Sequence, residues 1–296
     1  MSRRLTRILI PIVLVMLVAV GCSKKAKTTG PEPQASGNLK TLVSGTLTVG
    51  TDMPYAPFES IDAKGETVGF DIDLFNEIAR RLGYKVTYNN AVFDTIFLGL
   101  PNKWDIVVSA VTAYAPAGSS AAKTVADRSK IVIFGKAYYS SLQSLAVNTA
   151  KTPDIKSTAD LKSGDRVAVQ DGTTGAFYAK EALESKGITL VGFEKAPDMF
   201  LALEAGRVKG VVNDLPVSID SVKDKTDLKV VQQIETGEQY GYAYAKDASA
   251  LRDAIDAELA KIFQDGTYAR IFKKFFPDQE LPAYVSGGAS PGPTSS

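Results

Sequence analysis

Histidine is absent from this 296-residue chain, and cysteine occurs once, at Cys22. The first absence excludes Ser–His–Asp triads, histidine general bases and His-containing metal sites. The second excludes an internal disulfide and a thiolate metal cluster. Acid–base chemistry by carboxylates, lysine and tyrosine stays open, so an enzyme is disfavoured but not excluded; the expectation is a non-enzyme with no cofactor and no metal. An excess of either charge is also missing: 34 Lys+Arg stand against 33 Asp+Glu, a net charge of +1. Binding to nucleic acid needs clustered, unbalanced basic charge, so no such partner is expected. No internal repeat is visible.

What is there begins with a leader. Arg3, Arg4 and Arg7 precede an apolar run from Ile8 to Val20, followed by Gly21-Cys22. The run is roughly 13 residues, short of the about 20 that a spanning helix needs, and suits a signal peptide over residues 1–21. An apolar run closed by a small residue and Cys resembles a bacterial lipoprotein box, which implies cleavage before Cys22, lipidation of its thiol and attachment to the outer face of the cell membrane. Residues 22–44 are rich in Lys, Thr, Gly, Pro and Ser and read as a flexible tether. Residues 286–296 are Gly/Ser/Pro-rich and read as a disordered tail.

Between them, 45% hydrophobic content supports a sizeable core. Thr46–Thr51 alternates as a strand, and Leu74, Phe75, Ile78 and Leu82 share one helical face after Asp71, a candidate N-cap. Strands are read at 85–88, 105–109, 166–169, 188–191, 210–212 and 242–245. Helices are read at 94–100, 173–185, 198–205, 216–222, 251–263 and 268–275. This alternation predicts α/β layers with mostly parallel sheets, in two blocks.

Ligands of open α/β sheets sit beyond the carboxyl ends of the strands. Those ends are polar here. Asp52 and Tyr55 follow the first strand, and Ser109, Ala110 and Thr112 follow the strand at 105–109. Gln170, Thr173 and Thr174 follow the strand at 166–169, and Asn213 and Asp214 follow the strand at 210–212. Four such ends together predict one polar pocket. Gly172-Thr-Thr-Gly opens a helix directly after a strand, where free N–H groups suit an anion. A phosphate loop is not present, because its lysine is missing. Asp214 also reads as a helix N-cap ahead of Pro216, Trp104 as core or interlobe packing, and Glu59 as a residue at the surface or just behind the site.

Val49-Gly-Thr-Asp-Met-Pro-Tyr-Ala-Pro-Phe-Glu, Gly69-Phe-Asp-Ile-Asp-Leu, Val167-Ala-Val-Gln-Asp-Gly-Thr-Thr-Gly, Asn213-Asp214, Tyr240-Gly-Tyr-Ala and Gln264-Asp-Gly-Thr-Tyr occur in this order. The series resembles the bacterial extracellular solute-binding proteins of the polar amino-acid type, family 3. The resemblance implies an α/β, two-lobed, periplasmic-binding-protein-like fold (type II, Venus-flytrap) with two crossing hinge strands near Tyr139 and Gln239. Lobe 1 would span 45–139 and 241–285, and lobe 2 would span 140–240. It further implies an ABC permease as partner and a monomer that closes on an amino acid.

Carried over residue by residue, the resemblance makes Arg128 the clamp of the ligand α-carboxylate, supported by Thr112 and the backbone of Thr174. Asp214 would take the α-ammonium. Asp52, Tyr55, Phe93, Ser109 and Gln170 would line the side-chain pocket. The family pattern Thr-x-Thr-x-x-Arg is interrupted, since Arg128 follows Thr112 only after an Ala/Gly/Ser-rich stretch, read as an inserted loop at 113–127. The spacing from Arg128 to Phe134 and to Tyr138-Tyr139 matches the family. An acidic Asp52 favours Arg, Lys, ornithine or Gln over Glu and Asp. A cyclohexadienyl-dehydratase-like enzyme and a ligand-sensing module are the alternatives on the same fold.

Overall fold

The computed structural model describes residues 39–286. The leader, Cys22 and residues 287–296 of the tail lie outside the described residues, as does the tether up to residue 38. Leu39–Ser44, at the end of the tether, already lie against the body. The Leu39 N–H donates to the Tyr84 hydroxyl at 3.1 Å, and the Leu42 N–H donates to Asp105 Oδ1 at 2.7 Å.

Strand β1 (Thr46–Thr51) leads to a short hairpin, β2 (Ser60–Ile61) and β3 (Thr67–Val68), and to helix α1 (Phe70–Leu82). α1 buries Phe70, Leu74, Phe75 and Ile78 and stops at Gly83, whose left-handed φ of 77° suits glycine. β4 (Lys85–Asn90), a 3-10 helix (Phe93–Gly99), β5 (Ile106–Val107) and β6 (Thr112–Tyr114) follow. Then come α2 (Ser120–Ser129) and the long strand β7 (Val132–Asn148). The second block holds β8 (Arg166–Gln170), α3 (Thr174–Leu183), β9 (Thr189–Phe193), α4 (Ala196–Ala205), β10 (Gly210–Asp214) and α5 (Leu215–Val222). The long strand β11 (Leu228–Ala245) returns to the first block, where α6 (Ser249–Gln264) and α7 (Thr267–Phe275) close the chain.

The alternation predicted from sequence is present, and its two blocks form two lobes. In each lobe three strands run parallel: β4, β1 and β5 in the first, β10, β8 and β9 in the second. Instead of two separate sheets, one ladder of order β4-β1-β5-β11-β7-β10-β8-β9 runs through both. The antiparallel pair β7/β11 carries that continuity, with Tyr240 opposite Tyr139 and Glu238 opposite Ser141. These are the two crossing strands that the resemblance placed near Tyr139 and Gln239, whereas the strand read from periodicity at 242–245 covers only the last residues of β11. β7 carries serines and a glutamine, and β11 carries glutamines, glutamates and glycines, among their apolar residues, so their alternation is broken where they pass between lobes.

Two further expectations are corrected. The stretch at 113–127 is not a loop. Tyr114 ends β6, and Ser119 caps a ten-residue helix, α2, by accepting the Ala122 N–H at 3.1 Å. Asp71 is not the N-cap of α1. The cap position is Gly69, and the buried Asp71 carboxylate accepts the Ala110 N–H at 2.9 Å and the Tyr138 hydroxyl at 2.6 Å.

Packing is densest where the long strands pass beneath the cleft. Tyr139 and Tyr240 stack at 5.5 Å, and Phe58, Phe70, Phe272 and Phe276 gather around them. Each such ring removes a large apolar area from water, and the edge-on contacts add to it. A second cluster surrounds Trp104, which is core as expected and donates to the Ile96 carbonyl at 3.1 Å. Val167, Val169, Val212, Leu145 and Leu183 form the core of the second lobe.

Candidate functional site

The carboxyl ends of β1, β5, β8 and β10 converge on one cleft between the lobes. A narrow cavity lies there. Of the residues expected from sequence, Asp52, Tyr55, Phe93, Ser109, Ala110, Thr112, Arg128, Gln170, Thr173, Thr174 and Asp214 line it. Asn213 stands just behind, its Oδ1 accepting the Tyr55 hydroxyl at 3.1 Å across the two lobes.

The first lobe contributes a wall held from below by buried carboxylates. Ser109 Oγ accepts the Asp52 N–H at 2.9 Å and donates to Glu59 Oε1 at 2.8 Å. Glu59 is fully buried, so it does not lie at the surface. Burial raises its pKa well above the ordinary range, and the neighbouring Asp71 charge adds to that. Asp71 is itself pushed up to about 7 by burial. Ala110 takes a left-handed φ of 46°, unusual for a residue with a side chain, and its N–H is fixed on Asp71.

Arg128 arrives from the last turn of α2, 7% exposed. Its guanidinium donates to the Thr112 carbonyl at 3.1 Å and to the Gly172 carbonyl at 2.9 Å, so it spans the lobes. The rings of Phe93 and Phe97 lie 5.2 and 5.3 Å from it. Burial lowers its pKa to about 10, against the opposing pull of Glu238 and Asp214, so it remains a cation at neutral pH. Gly172 is required at this contact: its φ is +75°, and a Cβ would lie 2.6 Å from Asp94 Oδ1.

The second lobe contributes a helix start and a strand end. Thr173 caps α3 by accepting the Ala176 N–H at 3.1 Å, and Thr174 opens the helix. Asp214 occupies the cap position of α5, but its side chain makes no capping bond. Its carboxylate instead accepts from Gln143 Nε2 and the Tyr240 hydroxyl, both at 2.5 Å. Burial, with the nearby Glu238 charge, raises Asp214 to about 6, so at neutral pH it is largely ionised.

Three residues at the cleft escaped the sequence reading. Glu238, 1% exposed, accepts from both the Thr112 and Thr174 hydroxyls at 2.7 Å. It follows a bulge in β11 around Gly237, which turns its side chain inward. Gln143 donates to Asp214 and, at 3.2 Å, to Glu238. Lys195 pairs with Asp52. Glu238 and Gln143 sit in the crossing strands, whose extent no periodicity marked, and a polar residue among buried neighbours is the available signal. Lys195 precedes α4 in a polar turn and has no local signature.

The cleft therefore presents a buried cation, Arg128, among the buried carboxylates Asp214, Glu238 and Asp52, with hydroxyls and aromatic faces between them. Such a constellation can hold a small molecule carrying both charges, because each buried charge needs an opposite partner. The arginine suits a carboxylate through its planar fork.

Comparison with known proteins agrees with this architecture. The sequence profile of the bacterial extracellular solute-binding proteins, family 3, matches residues 47–278. ABC transporter arginine-binding protein 1 of Escherichia coli (strain K12) is 32% identical over 237 residues, 78% of this chain and 90% of that protein. The lysine/arginine/ornithine-binding periplasmic protein of the same organism is 31% identical over 281 residues, 89% of this chain and 96% of that protein. An ancestral arginine-binding protein bound to arginine superposes with a TM-score of 0.71 at 35% identity, covering 78% of this chain and 98% of that one. These proteins are named for binding, not for a reaction. With these motifs in this order, this two-lobed fold and this profile match, the chain belongs to the bacterial extracellular solute-binding proteins of family 3.

Proposed function

We propose that the protein is the extracytoplasmic substrate-binding component of an amino-acid ABC importer, and that its ligand is a polar or cationic amino acid: Arg, Lys, ornithine or Gln. The observation that carries this reading is the shared cleft of Arg128 and Asp214, opposite buried charges on the two lobes. Arg128 takes the α-carboxylate, with Thr112 and the Thr174 N–H beside it. Asp214 takes the α-ammonium. Asp52, Gln170, Tyr55 and Phe93 form the side-chain end.

A ligand that touches both lobes favours the closed arrangement by its differential affinity for it, and the closed form docks on the permease. The names of the arginine- and lysine/arginine/ornithine-binding relatives support the ligand class. The leader and Cys22 support export and attachment to the membrane through a lipidated thiol, with the protein working as a monomer.

The test is a thermal-shift screen of the purified protein against the common amino acids and ornithine, alongside Asp214→Ala. A ligand at 100 times its Kd stabilises by about 2.7 kcal/mol, a shift of several degrees. Stabilisation by one of the four ligands, absent in a folded Asp214→Ala variant, is the expected result. Near-native affinity in that variant refutes the assignment of Asp214. No shift with any amino acid refutes the ligand class.

A further inference from the structure

Asp52, at the side-chain end of the cleft, does not wait there as a bare anion. Lys195, just ahead of α4 on the other lobe, sets its Nζ against Asp52 Oδ1. The same ammonium donates to the Ala91 carbonyl at 2.9 Å and lies 3.3 Å from Asn90 Oδ1. All three of its protons therefore point at acceptors of the first lobe. Asp52 Oδ2 accepts from Gln170 Nε2 at 2.7 Å, and Gln170 is held in turn by the Glu194 carbonyl at 3.0 Å. The Asp52 side chain is 4% exposed and that of Lys195 26%, so the pair sits at the boundary of the cleft, with the anion inside and the cation toward solvent.

This arrangement bears on ligand choice. A lysine or arginine side chain that reaches Asp52 brings a second cation beside Lys195, in a place where water screens poorly. It must drive the Lys195 ammonium off Asp52 or share one carboxylate with it. A neutral amide meets no such opposition. Its N–H donates to a lone pair that Asp52 retains, and it adds no charge.

We infer that Lys195 is a specificity-determining residue, a resident cation that sets the side-chain end of the cleft against cationic ligands and toward an uncharged amide. The inference rests on the amino-acid reading of the cleft and narrows it. Lys195 competes only with the ligand's side chain, since Arg128 and Asp214 stand elsewhere in the cleft. Its removal therefore changes the ratio between ligands rather than binding as such.

The experiment is isothermal titration of L-arginine and L-glutamine into the wild-type protein, Lys195→Met and Lys195→Arg. Methionine keeps an unbranched apolar stem and removes the charge, while arginine keeps the charge. Lys195 is part-exposed at a helix entrance, so both variants are expected to fold. In Lys195→Met the arginine-to-glutamine affinity ratio is expected to rise about tenfold or more, the scale of one displaced ion contact. In Lys195→Arg it is expected to stay within about threefold, less than the 1.4 kcal/mol of a tenfold change. A Lys195 that merely braces the lobes would change both affinities in parallel, and an unmoved ratio overturns the inference while leaving amino-acid binding intact. If neither ligand binds any of the three proteins, the amino-acid reading itself falls, and the inference with it.

Discussion

Arg128 illustrates how much one buried side chain does here. Two of its donors are tied to the Thr112 and Gly172 carbonyls, one on each lobe, and its face lies on Phe93 and Phe97. A lysine cannot reproduce a planar fork that serves two carbonyls and still presents donors to a carboxylate. Arg128→Lys is therefore expected to weaken ligand binding about 100-fold, the loss of one charge-assisted bidentate contact of about 3 kcal/mol. Titration calorimetry measures it, and affinity within threefold of wild type would exclude Arg128 from the carboxylate contact. The neighbouring Glu238 was not found from sequence because its role depends on a bulge in β11 and on two threonines brought to it from different lobes. Asp52 and Asp214 were found because strand ends carry information locally: a carboxylate after a β-rich run falls at the carboxyl edge of the sheet.

At the scale of elements, α2 is the departure with functional weight. Residues 120–127, which read as a loop, open a ten-residue helix whose last turn delivers Arg128. The signal was weak, because only Ala121, Thr124 and Arg128 of this helix are buried and its apolar stripe is thin. What holds it is a cap and a neighbour. Ser119 accepts the Ala122 N–H, and Lys123 pairs with Glu181 of α3 across the lobes. The pair is exposed and contributes little. The cap contributes more, so Ser119→Ala is expected to lower stability by about 1 kcal/mol in urea denaturation and to weaken ligand binding through a less ordered Arg128. Unchanged stability together with unchanged affinity would show that α2 is held by packing alone. The long strands were expected only through the family resemblance, near Tyr139 and Gln239, and not from periodicity. Their residues face core, hinge and cleft in turn, so no single period runs along them.

For the whole molecule the buried carboxylates set a pH dependence with two opposed parts. Asp71 is raised to about 7, and Asp214 and Asp256 to about 6, all chiefly by burial. In each case the folded protein holds a proton at a pH where the unfolded chain has released it. The unliganded protein is therefore expected to gain stability as pH falls from about 7.5 toward 5, with the gain complete near the unfolded carboxylate value of about 4. Glu77 and Asp265, lowered to about 2 by Arg80 and Arg81 respectively, begin to lose their contributions only below that window. Ligand binding is expected to run the other way, because the proposed contact of Asp214 with an α-ammonium requires the ionised carboxylate. Affinity is expected to fall up to tenfold per unit below pH 6, one proton being taken up for each ligand lost. Thermal melts with and without ligand from pH 5 to 8 measure both. Melting that falls together with ligand affinity toward pH 5 would contradict the burial of these carboxylates.

The amino-acid sequence by itself determined the alternation of strands and helices, the polar strand ends that meet in the cleft, and the family, since these depend on short-range periodicity and on motifs contiguous in the chain. Only the tertiary structure decided that one sheet is continuous through both lobes, that the stretch before Arg128 is helical, and that Glu59 and Asp71 are buried beneath the site. It alone brought Lys195 to Asp52, 143 positions away, and Glu238 to Thr112, 126 positions away. The physical reason is one of range. Hydrophobic period and capping are written over a few neighbouring residues, whereas the partner of a buried charge is chosen by desolvation, which exists only once distant segments have closed over it.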